Sequence, residues 1–229
     1  MDSGAGLAAA VAGGADRIEL CAALGLGGLT PSPGLMAVAA GCGLPVYAMI
    51  RSRAGDFEFD EAEVAVMEAD IAAARDAGLA GVVIGASLPD GRLDGPVLAR
   101  LIAAAQGLGV TLHRAIDLVP DWAEALEMAV DLGVERILTS GRALRAVDGL
   151  AALREAVDRV GDRVVIMPGS GVSVAVLPQL LALGVHEVHA SCALPLAGRH
   201  MAHQFGFASG AERQTDAGLV AALRGALGG

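Results

Sequence analysis

Residues 46–51, Val-Tyr-Ala-Met-Ile-Arg, carry the alternation that decides the fold. Every second residue from Val46 is aliphatic, whereas the residues between them are larger or polar and end in Arg51. Since successive side chains of a β-strand point to opposite faces, this strand has one aliphatic face and one mixed face. The aliphatic face suits covering helices, and the mixed face suits a packed interior with a polar end. The stretch therefore predicts a parallel barrel rather than an open doubly wound sheet.

The same kind of run recurs along the chain at spacings of roughly 30 residues, the length of a βα unit. Seven runs predict parallel strands: Ile18–Cys21, Val46–Arg51, Val82–Ala86, Val110–Ala115, Arg136–Ser140, Val164–Met167 and Glu187–Ala190. Their polar residues gather toward the C-terminal end of each run. In a barrel those ends meet at one mouth, where ligands bind.

Alanine-rich amphipathic stretches between the runs predict the covering helices. They are Gly6–Gly13, Glu61–Gly78, Pro96–Leu108, Asp121–Gly133, Gly149–Val160, Pro178–Gly184 and a last helix from Asp216 to Leu227. The residues before Asp16 predict no strand, although a barrel of this type has eight. We therefore expect one domain over residues 1–229, an α/β TIM-type barrel that lacks its first strand. Either that strand is absent or a neighbouring segment or subunit fills its place.

The composition indicates a globular protein whose partners are small molecules, metal ions or other proteins. It is 54% hydrophobic and 18% charged, which provides enough apolar surface for one barrel-sized core. The formal charge of -10 disfavours nucleic acid and anionic membranes as partners. No apolar stretch reaches the ~20 residues of a membrane span. With three scattered cysteines and no leader-like start, the sequence predicts a cytoplasmic location.

The sequence resembles the CutC family over roughly residues 2–192. The motifs that carry the resemblance are GGADRIELC (13–21), GGLTPS (27–32), MIRSRAGDF (49–57), TLHRAID (111–117), RILTSG (136–141) and VIMPGSG (165–171). The resemblance implies a TIM-type barrel in the cytoplasm that binds copper, acts in copper homeostasis and forms a homo-oligomer. Family members open with a strand that ends in a Cys-Val-Asp-Ser-like segment, of which Asp2 and Ser3 are present here.

Copper(I) prefers thiolate ligands, so Cys21 and Cys192 are the candidate metal ligands. Each follows the C-terminal end of a predicted strand, and in a closed barrel the two would approach across the missing strand. The alternative is that both are small apolar packing residues, since neither belongs to a Cys-x-x-Cys motif. Cys42 precedes a strand at the opposite rim and is interpreted as structural.

A second candidate site consists of polar residues predicted to point into the mouth. His113 is a candidate general acid or base, together with Glu19 or Asp117. Arg51 or Arg53 could hold a carboxylate or phosphate through two hydrogen bonds. Two further polar residues of the set are Thr139 and His189. The alternative is a satisfied polar network that closes the top of the barrel.

A third candidate is the glycine-rich loop Gly169-Ser170-Gly171, with Ser191 after the last predicted strand. Loops at these two positions bind phosphate in many barrel enzymes, through backbone N–H groups and a helix N-terminus. The alternative is that the glycines only permit a tight turn. Three functions stay open: a copper homeostasis protein, a barrel enzyme for a small phosphorylated or carboxylated metabolite, and an oligomeric scaffold.

Overall fold

The computed structural model describes residues 1–196, 200–207 and 212–228. Its centre is a six-stranded parallel sheet that curls into a partial barrel, with the strands in chain order. The strands are β1 (Ile18–Leu20), β2 (Val46–Met49), β3 (Gly81–Ile84), β4 (Gly109–Leu112), β5 (Arg136–Thr139) and β6 (Val165–Pro168). The predicted TIM-type barrel with an incomplete strand set is confirmed.

Helices cover the outer face of this sheet. They are α1 (Gly4–Ala12), α2 (Pro33–Ala40), α3 (Glu61–Asp76), α4 (Gly95–Ala105), α5 (Trp122–Asp131), α6 (Leu150–Val160), α7 (Leu177–Leu181), α8 (His200–Gln204) and α9 (Ala217–Ala226). A short 3-10 helix, Arg114–Leu118, follows β4. The sequence predicted most of these helices but missed α2, α8 and a small antiparallel pair, β7 (Ala193–Pro195) with β8 (Arg213–Thr215).

Local sequence signals explain where the helices begin and end. At the start of α3 the Asp60 carboxylate accepts from the Glu63 N–H at 2.8 Å, and the Glu63 carboxylate accepts from the Asp60 N–H at 3.0 Å. This reciprocal pair satisfies two N–H groups that a helix start otherwise leaves unpaired. Gly78, with φ 76°, follows α3 in the left-handed conformation that ends it. Pro178 lies in the first turn of α7, as predicted.

The two faces of the sheet differ as the alternation predicts. The outer face packs against the helices in one large core that includes Val46, Ala48 and Ile50. The inner face carries a smaller cluster formed by Cys21, Tyr47, Met49 and Val83.

The predicted assignment of inner and outer faces is wrong in β5. Thr139 was predicted to point inward and Leu138 outward, and the structure reverses them. Ile137 belongs to the outer core, so Thr139, two residues later, shares its face. Leu138 lies inside, next to Gly169, where a Cβ would approach the Leu138 side chain at 2.5 Å. The interior accepts Leu138 because this glycine leaves room for it.

The N-terminal end of the barrel, here called the floor, is closed by Tyr47. Two guanidinium groups lie near its ring, with Arg17 at 5.6 Å and Arg136 at 5.4 Å from the ring centroid. Both arginines also pair with Glu187, at 2.5 and 2.8 Å. A Cβ on Gly81, at the start of β3, would overlap the Tyr47 ring. The floor is therefore a packed polar and aromatic layer.

The barrel is open between β6 and β1 in the part of the chain that the structure describes. The predicted strand Glu187–Ala190 is wrong as a regular strand, because it keeps only its His189 N–H bond to the Pro168 carbonyl, at 2.8 Å. On the other side Met1 bonds to β1: its amino group donates to the Glu19 carbonyl, and its carbonyl accepts from the Cys21 N–H, both at 2.8 Å. This is the ladder pattern of a parallel strand, one residue long.

The C-terminal segment returns to the start of the chain. Helix α9 packs against α1 so closely that a Cβ on Gly13 would come within 2.5 Å of the Val220 side chain. Arg224 of α9 also pairs with Asp16 at 3.1 Å. Among the helices of the described ranges, none has the length and apolar character that a membrane span requires.

Candidate functional site

Three residues form the centre of the mouth: Arg51 after β2, His113 after β4, and Phe57 on the loop that follows Arg51. The Phe57 ring contacts both of the other two. Its centroid is 4.9 Å from the Arg51 guanidinium carbon and 4.8 Å from the imidazole centroid. We call Arg51 and His113 the donor pair. The sequence predicted both members, and it predicted the loop Gly55–Asp60, which carries Phe57, as either a lid over the mouth or an oligomer contact.

Arg51 is a buried cation with an incomplete set of hydrogen bonds. Its guanidinium donates to the carbonyls of Leu26, Gly28 and Gly55 at 2.9, 3.2 and 2.6 Å. Only 6% of the residue is exposed, and its Nε–H is buried without a hydrogen-bond partner in the described structure. Burial, followed by the charge of Arg53, lowers the pKa of Arg51. An arginine nevertheless stays protonated in proteins, so the mouth contains a fixed positive charge.

His113 is neutral and has a defined tautomer. Its Nδ1 accepts from the Ala115 N–H at 3.1 Å, so the ring proton lies on Nε2. This Nε2–H is also buried without a partner among the described residues, and 4% of His113 is exposed. Burial, with the Arg51 charge as a second cause, lowers the pKa of His113 to about 3. A Cβ on Gly85 would overlap the imidazole, so a glycine is required there.

A second group lies at the open edge, on the inner face of β1. The Cys21 thiol donates to the Glu19 carboxylate at 3.8 Å, and His189 Nδ1 lies 3.8 Å from the other oxygen of that carboxylate. Burial, and secondarily the Glu19 charge, raises the pKa of Cys21 strongly. The thiol is therefore protonated near neutral pH, and a metal ion would have to displace that proton.

Cys192, the other candidate metal ligand, follows the irregular segment after His189. Its backbone is left-handed, with φ 44°, and its carbonyl accepts from the Asp216 N–H at 2.8 Å. Burial, and then Asp216, raises the pKa of this thiol too. Across residues 1–196, 200–207 and 212–228, no three His, Cys, Asp or Glu side chains are grouped closely enough to hold a metal ion.

Asp117 belongs to a third group, on the outer side of the sheet. Its carboxylate accepts from the Thr139 hydroxyl at 2.5 Å, from the Ser140 N–H at 3.0 Å and from the Arg142 N–H at 3.0 Å. Arg114 donates to it at 2.8 Å. Every oxygen of this carboxylate is occupied, so Asp117 and Thr139 fix the loop after β5 and do not point into the mouth as predicted.

Arg53 also lies away from the donor pair. It pairs with Glu63 at 2.5 Å and with Asp56 at 2.8 Å, and its guanidinium carbon lies 5.3 Å from the centroid of the Phe59 ring. Those contacts hold the loop of residues 51–60 against the start of α3. Only Arg51, of the two predicted anion-binding arginines, faces His113.

Two donors of the glycine-rich loop after β6 are engaged within the protein. The Gly169 N–H donates to the Thr139 carbonyl at 2.9 Å, and the Ser170 hydroxyl donates to the Leu144 carbonyl at 2.7 Å. Gly171 lies against the Arg145 side chain. The next helix, α7, begins only at Leu177, so it does not point at the loop. Ser191 is exposed, and its carbonyl accepts from the Thr215 hydroxyl at 3.2 Å.

Parallel strands with polar residues at their C-terminal ends define a protein of the TIM-barrel type. The comparisons with known proteins agree with this class and identify the family. The CutC family model matches residues 1–194, and the chain therefore belongs to the CutC family. A family protein CutC from Rhizobium meliloti strain 1021 is 56% identical over 229 residues, covering 99% of this chain and 94% of that protein.

Solved structures show the same fold. The crystal structure of a Streptococcus agalactiae protein, provisionally described as copper homeostasis protein CutC, matches with a TM-score of 0.74 at 30% identity. That match covers 77% of this chain and 88% of the other. Thiamine phosphate pyrophosphorylase from Pyrococcus furiosus matches at 14% identity with a TM-score of 0.61, covering 97% of this chain and 87% of the other, and shows the fold alone.

Proposed function

We propose that this CutC family member binds a small anionic metabolite at the mouth of its barrel, with Arg51 and His113 as the donors. Binding of copper(I) at the open edge is the second candidate. The geometry supports the first candidate best, and the family supports the second.

The observation that carries the first proposal is the pair of buried N–H groups without partners, Arg51 Nε–H and His113 Nε2–H. A buried donor without an acceptor destabilises a protein by about 1–3 kcal/mol. A carboxylate or phosphate that reaches the mouth would accept from both groups and compensate the Arg51 charge. Such a ligand recovers the lost hydrogen bonds, so the arrangement favours binding.

If the ligand is also converted, acid–base chemistry falls to Glu19 rather than to Asp117. The Asp117 carboxylate is occupied by four neighbouring residues on the outer side of the sheet. Glu19 lies on the inner face, and among the described residues its carboxylate contacts only Cys21 and His189, both at the long distance of 3.8 Å. A proton can therefore move to or from Glu19 without breaking a structural network.

The test is calorimetric titration with a panel of inorganic phosphate, phosphate monoesters and small carboxylates. We expect His113→Phe to weaken the best ligand at least tenfold, about 1.4 kcal/mol, because it removes one donor. Ser191→Ala, on the exposed rim, is the matched control and leaves the affinity unchanged. Equal affinity of the wild-type chain and His113→Phe would contradict the proposal.

Copper binding is supported by the family and by donor types at the open edge. The Streptococcus agalactiae protein is provisionally described as a copper homeostasis protein. Here the Cys21 thiol and the His189 imidazole flank the Glu19 carboxylate. Sulfur and imidazole nitrogen are ligands that copper(I) accepts in low coordination numbers. A two-coordinate site, formed by Cys21 with Cys192 or His189, would hold the ion as cargo for copper homeostasis.

A competitive copper(I) titration of the reduced protein tests this second candidate. We expect Cys21→Ser and Cys192→Ser each to weaken binding at least tenfold, and Cys42→Ser to serve as the control without effect. Because both ligand thiols have raised pKa values, the apparent affinity of the wild-type chain should increase with pH. Unchanged affinity after removal of both thiols would exclude them as ligands.

We also propose a cytoplasmic location and a homo-oligomer. All three cysteines are free, which fits a reducing compartment. Exposed apolar residues cluster in the C-terminal segment and would suit a contact between copies: Leu194, Leu196, Met201, Phe205 and Phe207. Light scattering of the purified chain measures the oligomer size.

A further inference from the structure

Buried polar atoms without partners are concentrated around Phe57. In the described structure five side chains have such an atom, and four of them, Arg51, Ser52, Ser87 and His113, surround the Phe57 loop. The backbone ties them together, since the Ser87 N–H donates to the Phe57 carbonyl at 2.8 Å. Scattered packing faults would not collect at one loop. The cluster therefore indicates a site whose polar groups are completed by a ligand.

We infer that His113 is a permanently neutral hydrogen-bond donor to a carbonyl oxygen of the ligand, and that Phe57 is the lid which covers it. This inference rests on the proposed anion site and specifies its ligand class: a small compound with a carbonyl group next to a carboxylate or phosphate.

The role of donor follows from the environment of the ring. The Ala115 N–H occupies Nδ1, so only Nε2 can face a ligand, and Nε2 carries the proton. A group with its lone pair occupied donates and does not accept, which differs from the general base that the sequence suggested. The charged group that acts on the ring is Arg51, which disfavours a second proton. A neutral donor polarises a carbonyl oxygen without transferring its proton.

The positive charge of Arg51 specifies the rest of the ligand. Its guanidinium carbon lies 4.9 Å and the imidazole centroid 4.8 Å from the Phe57 centroid, so a ligand that replaces the ring lies beside both donors. Carboxylate and phosphate oxygens are the acceptors that an arginine holds best. The hydroxyl groups of Ser52 and Ser87 add donors for further oxygen atoms of the same ligand.

Phe57 must move before a ligand reaches this pair. The backbone on both sides of the ring is held, since Arg53 pairs with Asp56 at 2.8 Å and donates to the Glu58 carbonyl, and the Ser87 N–H donates to the Phe57 carbonyl at 2.8 Å. The ring therefore uncovers the pair by rotating about its own side-chain bonds while the loop stays in place.

The protonation state of His113 is measured without any ligand. Nitrogen-15 NMR of the histidine rings should show His113 with a proton on Nε2 only, and no titration between about pH 5 and 8. His113→Gln assigns the signals and keeps an N–H near the position of Nε2. A His113 ring that titrates in this range, or that carries its proton on Nδ1, would overturn the inference.

The lid is tested by the exchange of the His113 Nε2–H with water, followed by nitrogen-15 NMR of the histidine rings. Phe57→Ala should accelerate this exchange at least tenfold, because the ring no longer covers the N–H. Phe59→Ala, on the same loop but packed on Arg53, is the matched control with the wild-type rate. An unchanged rate in Phe57→Ala means that the ring is not the lid.

The ligand class is tested with pyruvate and inorganic phosphate as probes. We expect pyruvate to bind more tightly than acetate, His113→Gln to keep the affinity for pyruvate within about threefold, and His113→Phe to lose at least tenfold. If neither pyruvate nor any other anion of the panel binds the wild-type chain, the proposed function fails. The ring protonation and the lid are judged by the two ligand-free measurements.

Discussion

Asp117 and His113 lie four residues apart after the same strand, and both are buried, yet their surroundings are opposite. The Asp117 carboxylate receives hydrogen bonds from two side chains and two backbone N–H groups. His113 Nε2–H has no partner among the residues described. Both residues are the acid–base candidates that a sequence suggests. The comparison teaches that a buried group whose hydrogen bonds are all made within the protein maintains the fold. A buried group without a hydrogen-bond partner is available to a ligand.

The largest expected effect on stability comes from Asp117, whose hydrogen bonds are satisfied. Asp117→Ala leaves the Arg114 Nε–H, the Thr139 hydroxyl and two backbone N–H groups without their acceptor. We expect the free energy of unfolding to fall by about 3–5 kcal/mol, as for other broken buried charge networks. Urea unfolding measures it. A loss below about 1 kcal/mol would mean that the network is not structural.

The pH dependence of stability sharpens the comparison for His113, whose Nε2–H has no partner among the described residues. The folded pKa of His113, about 3, is below the usual value of 6.5, so the unfolded chain binds more protons between these values. The contribution of His113 is fully present above about pH 6.5 and is lost as the pH falls toward 3, by up to about 1.4 kcal/mol per pH unit. In His113→Phe this part of the slope should disappear. Unfolding curves of both proteins at several pH values provide the measurement.

Gly85→Ala is expected to have a smaller effect. The added Cβ overlaps the imidazole and forces His113 out of its place. Such overpacking costs typically about 1–3 kcal/mol, and the donor pair is lost with it. The double variant Gly85→Ala with His113→Ala should recover part of the stability but not the ligand affinity. Simple additivity of the two changes would contradict a direct clash.

The smallest effect is expected in the glycine-rich loop. Ser170→Ala removes one hydrogen bond, to the Leu144 carbonyl, and should cost about 1 kcal/mol. We expect the affinity for phosphate to stay unchanged, because the Ser170 hydroxyl is already engaged. A tenfold loss of phosphate affinity would instead favour the anion site that the sequence predicted at this loop.

Alternation and helix-terminal residues made much of the fold predictable. The signals that predict β1 to β6, and those that predict α3 with Asp60 before it and Gly78 after it, come from residues that are close together in the sequence. The segment Glu187–Ala190 could not be settled in this way, because a strand also needs a hydrogen-bonding partner on its far side, and that edge is open.

The candidate site was predictable in its members and not in its contacts. Arg51 and His113 follow their strands at positions whose side chains face the barrel interior, so sequence alone places them at the mouth. Thr139 was misplaced because a short run with polar and aliphatic residues at adjacent positions does not reveal which of them is inside. The position of Phe57 depends on a loop that packs across two strands, and the only signal was an aromatic residue among acids.

The floor of the barrel provides a spectroscopic consequence. Tyr47 is the one tyrosine of the sequence and Trp122 the one tryptophan, so a signal of either ring reports a single layer. The NMR signals of the Tyr47 ring, which lies near Arg17 and Arg136, follow the interior of the sheet, and Trp122 fluorescence follows the outer helices. Coincident melting curves would mean that the incomplete barrel unfolds as one cooperative unit.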